Sequence, residues 1–485
     1  MALPRPKTRL LRGTIAYTAA AVIQRGIGFV LLPVYARVLT PADYGQIGVL
    51  MTIAAAVATV LSFGLETAIF RGYVRLADRP QELRRFVNTV GTFAIIAPLL
   101  LAVAAGLGLS STFENAFEVP RSAVALGFIG AALLTSATVV PLAILRAQER
   151  LREYLRLTGV QVVLTVGLTL TLVVVLGWGV VGWMLAFAAA SAALLVRGVI
   201  VVGHAWSREL DARHLVAALA FGLPMIPHAL AHWGLSLSDR MILGTYLDSA
   251  AVGVYYVAYL FGLPISLLAV GLSQAVQPLY ARASIAGDRN RELARSVSDQ
   301  ALACILATMV VAVVGPPAVR AFLPSAYAPA ASFVPWIALG HGLYALYFIP
   351  MNAITVLSGR NRWVWVVTLI AAIVNVGLNI LLVPRIGATA AAINTVVGYA
   401  ILVVGITIYM FRVVDRPVTF EWPRITLGVA IVIAATIAAM LFTPEEPVLQ
   451  LILRGGLVAI VMGLFIAIRL GNLRSALARM AESRR

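Results

Sequence analysis

Cysteine and lysine each occur once in this 485-residue sequence, and acidic residues are few. Its one cysteine, Cys304, lies inside an apolar run, so an intramolecular disulfide, a CxxC redox pair and a thiolate metal cluster are all excluded, and the residue reads as packing. Lys7 is the only lysine among 37 basic residues, against 20 acids, and charged residues make up only 12% of the chain. There is no GxxxxGK[ST], HExxH or GxSxG, which argues against an ATPase, a metalloprotease and a common serine hydrolase. Long hydrophilic connections are also missing, so no soluble catalytic domain fits between the apolar runs. Any function belongs to those runs, and the expectation is that the protein is not an enzyme and uses no cofactor or metal.

The apolar runs themselves dominate: 61% of residues are hydrophobic and the mean hydropathy is +0.95. Lipid is therefore the solvent for most of the chain. The first two runs, Gly13–Val38 and Gly45–Phe70, are joined by a turn carrying Pro41 and Asp43, and each is about 25 residues, enough to cross a bilayer core. The first is too long for a signal-peptide core and is expected to remain as a span. Further runs at 87–109, 122–145, 156–177, 179–203, 215–237, 250–278, 297–319, 331–357, 363–382, 387–411, 424–442 and 448–470 bring the total to fourteen. The fold class expected is an all-α polytopic membrane protein.

A formal net charge of +17 raises the question of nucleic acid, and the position of the charges decides it. Thirty basic residues fall on alternate connections, in clusters such as Arg71 to Arg85, Arg146 to Arg156 and Arg469 to Arg485. The other side holds five, Arg37, Arg121, Arg240, Arg320 and Arg385, and two more, Arg25 and Arg454, lie within spans. By the positive-inside rule the arginine-rich side and both termini face the cytoplasm, and no nucleic-acid partner is expected.

A weak internal repeat is present. Leu39 and Gly45 match Leu247 and Gly253 at a shift of 208, and Gly64-Leu65, Tyr73 and Arg75 match Gly271-Leu272, Tyr280 and Arg282 at a shift of 207. The loop Arg146 to Arg150 matches Ser358 to Arg362. Two pseudo-symmetric six-helix lobes are expected, 1–213 and 214–422, followed by a C-terminal pair of helices and a tail over 423–485. Because six is even, the repeat is parallel, and a substrate site is expected between the lobes.

Four stretches carry a family resemblance: Leu31–Leu50, LLPVYARVLTPADYGQIGVL; Gly64–Tyr73, GLETAIFRGY; Ser238–Tyr259, SDRMILGTYLDSAAVGVYYVAY; and Leu378–Tyr399, LNILLVPRIGATAAAINTVVGY. Together they resemble a Wzx-type polysaccharide flippase of the multidrug/oligosaccharidyl-lipid/polysaccharide exporter superfamily. The resemblance implies translocation of an undecaprenyl-pyrophosphate-linked oligosaccharide across the bacterial inner membrane by alternating access, for O-antigen, capsule or exopolysaccharide. It also implies the lipid bilayer, and a polysaccharide polymerase and chain-length regulator, as partners. A pyrophosphate crossing hydrocarbon calls for a hydrated cationic cavity, and the planar fork of arginine suits its oxygens. The alternatives are a lipid II flippase of peptidoglycan synthesis and a cation-coupled multidrug exporter of the same superfamily.

Arg25 lies about 18 Å into the first span, beyond easy snorkelling, and is read as a substrate contact, against a structural pair with an acid or helix-end carbonyls. Glu66 and Arg71, five apart at the inner end of the second span, read as an ion pair that closes or lines the inner mouth, or as an anchor. In the seventh span Pro224 and Pro227 precede His228 and His232, which share a face and read as polar lining of a bent helix or as buried hydrogen-bonded histidines. Arg240, next to Asp239, reads as a cap of the lobe interface or a substrate contact. Gln274 and His341 are further candidates, and Arg454 reads as snorkelling or touching lipid. The tail places Leu473, Leu477 and Met480 among arginines, as a short amphipathic helix on the inner leaflet would.

Overall fold

The structure, a computed structural model, describes residues 26–203, 210–286, 291–415, 418–441 and 444–482. Among these it is helical, with thirteen helices long and apolar enough to cross a membrane. They coincide one for one with the second to fourteenth runs of the sequence. Half of the first run, residues 13–25, falls outside the described residues, and the other half is helical over 26–30 and again at Leu32–Tyr35.

The second run is not one helix, as the sequence leads one to expect, but two: α1, Pro41–Leu61, and α2, Leu65–Arg75. Helix α1 starts at a capping box in which the Asp43 N–H donates to the Thr40 hydroxyl at 3.2 Å and the Thr40 N–H donates to the Asp43 carboxylate at 2.9 Å. It stops because Phe63 and Gly64 adopt φ of 48° and 66°, the left-handed region, which cannot continue a right-handed helix. The Ser62 hydroxyl takes up the Gly64 N–H at 3.1 Å, satisfying a donor the break would strand. Glu66 and Arg71 thus sit on a separate short helix.

The chain continues through α3, Pro80–Phe117; α4, Arg121–Ala147, with a π-helical turn at Thr138–Leu142 around Pro141; α5, Leu151–Val175; and α6, Gly179–Val202. Next come α7, Ala212–Gly222; a 3-10 turn at Leu223–Met225; α8, Ile226–Tyr246; α9, Ser249–Leu260; and α10, Leu263–Ala286. The rest are α11, Arg291–Phe322; α12, Ala330–Asn352; α13, Val364–Ile386; α14, Ala388–Val413; α15, Trp422–Leu441; and α16, Pro447–Glu482. The tail segment 473–480 is not a separate short helix, as expected, but continues α16 without a break.

Two compact units result. One contains the described residues up to Leu260 together with Arg362–Leu402, and the other contains Phe261–Asn361 and the residues from Val403 on. These units do not coincide with the lobes 1–213 and 214–422 read from the repeat. The physical reason is packing: α8 and α9, early helices of the second repeat, lie directly against α1 of the first.

Within the first unit α4 packs on α3, α6 and α1, and is the most enclosed span. Small residues make this possible: a Cβ at Gly130 would lie 2.6 Å from the Phe187 ring, so only glycine lets α6 approach so closely. On the other flank, α8 packs on α1 and α13, and α13 carries buried Asn375 and Asn379. Their amides form a chain with Asn394 of α14: Asn375 donates to the Asn394 carbonyl at 2.8 Å, Asn379 to Asn375 Oδ1 at 3.3 Å, and Asn394 to Asn379 Oδ1 at 3.0 Å. Buried polar groups in a membrane protein persist only when satisfied in this way. In the second unit α15 and α16 pack on α11 through Met309, Val313, Ala435, Ala439, Val458 and Val461.

Candidate functional site

In the first unit, α1 and α9 cross at their N-terminal ends, on the arginine-poor side. A Cβ at Gly45 would lie 1.8 Å from the Ser249 carbonyl oxygen, and a Cβ at Gly253 would lie 1.8 Å from the Pro41 carbonyl oxygen. The contact is reciprocal, since Pro41 and Ser249 are the first residues of their helices and each glycine lies one turn further on. Two backbones meeting without side chains leave no space for solvent or solute there.

A second close approach lies at the far end of α1. A Cβ at Gly64 would be 2.1 Å from the Gly222 carbonyl oxygen, and one at Gly222 would be 2.4 Å from that of Phe63. Here α2 meets α7, and Arg71 of α2 places its guanidinium carbon 4.9 Å from the centre of the Phe221 ring, a cation–π contact. The left-handed turn at Phe63-Gly64 is what brings the two backbones together.

Glu66 does not pair with Arg71. On a helix, positions five apart are separated by about 140°, so the two side chains leave α2 in different directions. Glu66 instead forms an ion pair with Arg146 at the end of α4, both side chains being partly exposed. Beside it the Gln148 side chain donates to the Tyr73 hydroxyl at 2.5 Å. The arginine-rich mouth of this unit is thus built from α2, α4 and α7, and it holds Arg71, Arg146, Glu66, Tyr73 and Gln148. The sequence singles out Glu66 and Arg71 but shows Arg146 only as one of the basic residues of the arginine-rich side and as a repeat marker, because nothing local ties it to a residue 80 positions earlier.

Between the two closures, α8 lies along α1, and the Trp233 indole N–H donates to the Thr52 carbonyl at 3.0 Å. His228 is half-buried with Nδ1 lacking a hydrogen-bond partner among the described residues, whereas His232, one turn on, is exposed. Pro224 lies within the 3-10 turn preceding them, and Pro227 removes an N–H from the first turn of α8.

Arg240 is 2% exposed. Its guanidinium carbon lies 4.0 Å and 5.2 Å from the Tyr259 and Tyr256 ring centres, and it faces the Asp239 carboxylate at 3.7 Å. The Tyr255 hydroxyl donates to the same carboxylate, and the Tyr259 hydroxyl to the Ser236 carbonyl at 2.7 Å. In this conformation the residue pins α8 to α9 and presents no surface to a solute. Arg25, the first-span candidate, lies outside the described residues. In the second unit, Gln274 is half-buried on α10, and His341 is buried against the Ser266 hydroxyl at 2.7 Å.

The model of the family described as "Polysaccharide biosynthesis protein" matches residues 10–284, more than half of the sequence. The chain belongs to that family. No curated protein matches it. Among solved structures, the chain is similar to the lipid II flippase MurJ in an inward closed conformation, with a TM-score of 0.67 at 14% identity over 92% of this chain and 100% of that one. It is similar to an inward-facing multidrug resistance MATE family transporter of the MOP superfamily, with a TM-score of 0.63 at 15% identity over 86% and 96%. A MOP superfamily transporter from Pyrococcus furiosus gives 0.54 at 16% over 82% and 95%. At such identities the likeness establishes the transporter fold. Both glycine closures lie inside the segment matched by the family, which ends on α10.

Proposed function

We propose that this protein is a flippase that moves an undecaprenyl-pyrophosphate-linked oligosaccharide from the cytoplasmic to the outer leaflet of the bacterial inner membrane, for a surface polysaccharide. The family match supports the polysaccharide assignment, and the transporter fold supports movement across a membrane without covalent chemistry. The observation that carries the reading is the reciprocal Gly45/Gly253 closure. It joins equivalent helices of the two repeats at a point where backbone meets backbone, with the Tyr44 and Tyr256 rings 6.4 Å apart beside it, so a small separation of the two helices would unseal the crossing.

In this reading both termini are cytoplasmic, the two six-span lobes 1–213 and 214–422 alternate in exposure, and the Gly45/Gly253 crossing is the outer gate. The mouth holding Glu66, Arg71 and Arg146 admits the headgroup, since guanidinium groups match pyrophosphate oxygens. Arg25 grips the pyrophosphate in the first span, and His228, His232 and Gln274 give polar lining to the path. A polysaccharide polymerase and chain-length regulator receive the product.

The test is a deletion strain assayed for surface polysaccharide and for lipid-linked oligosaccharide held in the inner leaflet. Loss of polysaccharide with accumulation of the lipid-linked unit, restored by the wild-type chain and not by Arg25→Ala, is the expected result. Failure of growth with normal polysaccharide would favour peptidoglycan precursor as cargo. Drug sensitivity as the sole phenotype would favour multidrug export.

A further inference from the structure

Helix α11 carries Pro316 and Pro317 close to its C-terminal end, Phe322. Proline has no N–H to donate, so Pro317 leaves the carbonyl four residues earlier, that of Val313, without its helical partner. An unmet carbonyl inside a bilayer costs several kcal/mol. The donor comes from α16: Arg454 places Nη1 3.4 Å from the Val313 oxygen. That contact uses one of the five N–H groups of the guanidinium, and Nε is buried with no partner among the described residues.

Arg454 lies seven residues, about 10 Å, into α16 from Pro447, and Arg320, two residues from the end of α11, stands two helical turns beyond Val313 and so on the same face of α11 as the carbonyl that Arg454 caps. Neither guanidinium forms an ion pair with a carboxylate among the described residues. The acid nearest in sequence with a defined contact, Glu446, accepts the Leu449 N–H at the start of α16. Two cations thus share one face of the α11–α16 contact, without a counter-ion among the described residues, on the side of the membrane that holds few basic residues. Around them the surface is apolar and exposed: Phe322, Val448, Leu449, Ile452 and Leu453 all face outward. Beside Arg454, Gly455 and Gly456 leave open space, with no atom within 4 Å of where a Cβ would stand.

We propose that Arg320 and Arg454 form a binding site for the phosphate group of a membrane lipid in the arginine-poor leaflet. A phosphate supplies the missing negative charge, its oxygens accept the unused N–H groups in pairs, and the acyl or prenyl chains lie along the apolar face past the glycine notch. Capping Val313 fixes the guanidinium in place, so little side-chain freedom is lost on binding. The chemistry fits an anionic glycerophospholipid or a polyprenyl phosphate equally, and the site does not depend on what the protein transports.

The experiment uses the purified full-length protein and counts retained lipids by native mass spectrometry, with phosphatidylglycerol, undecaprenyl phosphate and phosphate-free diacylglycerol as probes. The wild-type chain should retain a phosphate lipid, and Arg320→Gln with Arg454→Gln together should weaken retention on the order of tenfold, the loss expected for a charge-assisted contact. The Arg454→Gln change keeps an amide donor for Val313; Arg320→Gln alone leaves that contact untouched and should weaken retention even if the double variant misfolds. Displacement of phosphatidylglycerol by undecaprenyl phosphate identifies a carrier site, and the converse a site for bulk lipid. Retention unchanged in Arg320→Gln and in the folded double variant, or equal retention of diacylglycerol, overturns the proposal.

Discussion

Gly45 and Gly253 hold the same position in each other's helix crossing: each lies one turn inside its own helix and faces the carbonyl of the first residue of the other. A side chain at either place meets backbone, which cannot step aside as a flexible side chain does. Gly45→Val and Gly253→Val should therefore force α1 and α9 apart. Overpacking of this kind costs about 1–3 kcal/mol, enough to shift a two-state equilibrium by roughly fivefold to a hundredfold. Transport should fall accordingly while the protein stays in the membrane, and a cysteine at Ser249 should label faster with a membrane-impermeant thiol reagent. Normal transport with unchanged labelling would show that the crossing is not a gate.

The pair Glu66 and Arg146 is partly exposed, so it contributes little to stability, about 1 kcal/mol at most. Glu66→Gln should leave the melting temperature within a few degrees of wild type yet alter transport by freeing Arg146 at the mouth. The charge-exchanged double variant Glu66→Arg with Arg146→Glu should recover more activity than either single change. Additive losses in that cycle would mean that the two residues act independently.

Arg240 behaves differently because it is enclosed. Removing it as Arg240→Ala strands the Asp239 carboxylate and empties the space between two tyrosine rings, a loss of about 3–5 kcal/mol. Thermal denaturation in detergent should show a large fall, and loss of transport should track loss of folded protein. A folded, stable Arg240→Ala chain without transport would return Arg240 to the substrate contacts.

His228 and His232 share one face of α8 between the two closures. With Cys304→Ser as a thiol-free background, cysteines at both positions should react with a small water-soluble thiol reagent, and substrate supply should change the rate. If neither reacts while a cysteine at Ser249 does, α8 does not line a wet path.

Topology is tested by reporter fusions. Those after Ser325 and Glu446 should read as external, and one after Ser475 as cytoplasmic. An internal reading at Ser325 contradicts the positive-inside assignment.

The sequence by itself determined the solvent, the course of the spans from the third onward and the match of Gly45 with Gly253 at a shift of 208. Those features follow from composition and period, which act locally along each helix. Only the tertiary structure decided that the equivalent glycines touch, that the second span breaks at Phe63-Gly64, and that Glu66 turns to Arg146 in preference to Arg71. It alone found the Val313 carbonyl waiting for Arg454, and the closing of three asparagines into one buried chain. Such pairings join residues tens to hundreds of positions apart, and in a membrane each unmet polar group must find a partner wherever packing brings one. Hydropathy marks which segments enter the bilayer, but helix crossings and orphaned backbone groups fix which faces meet.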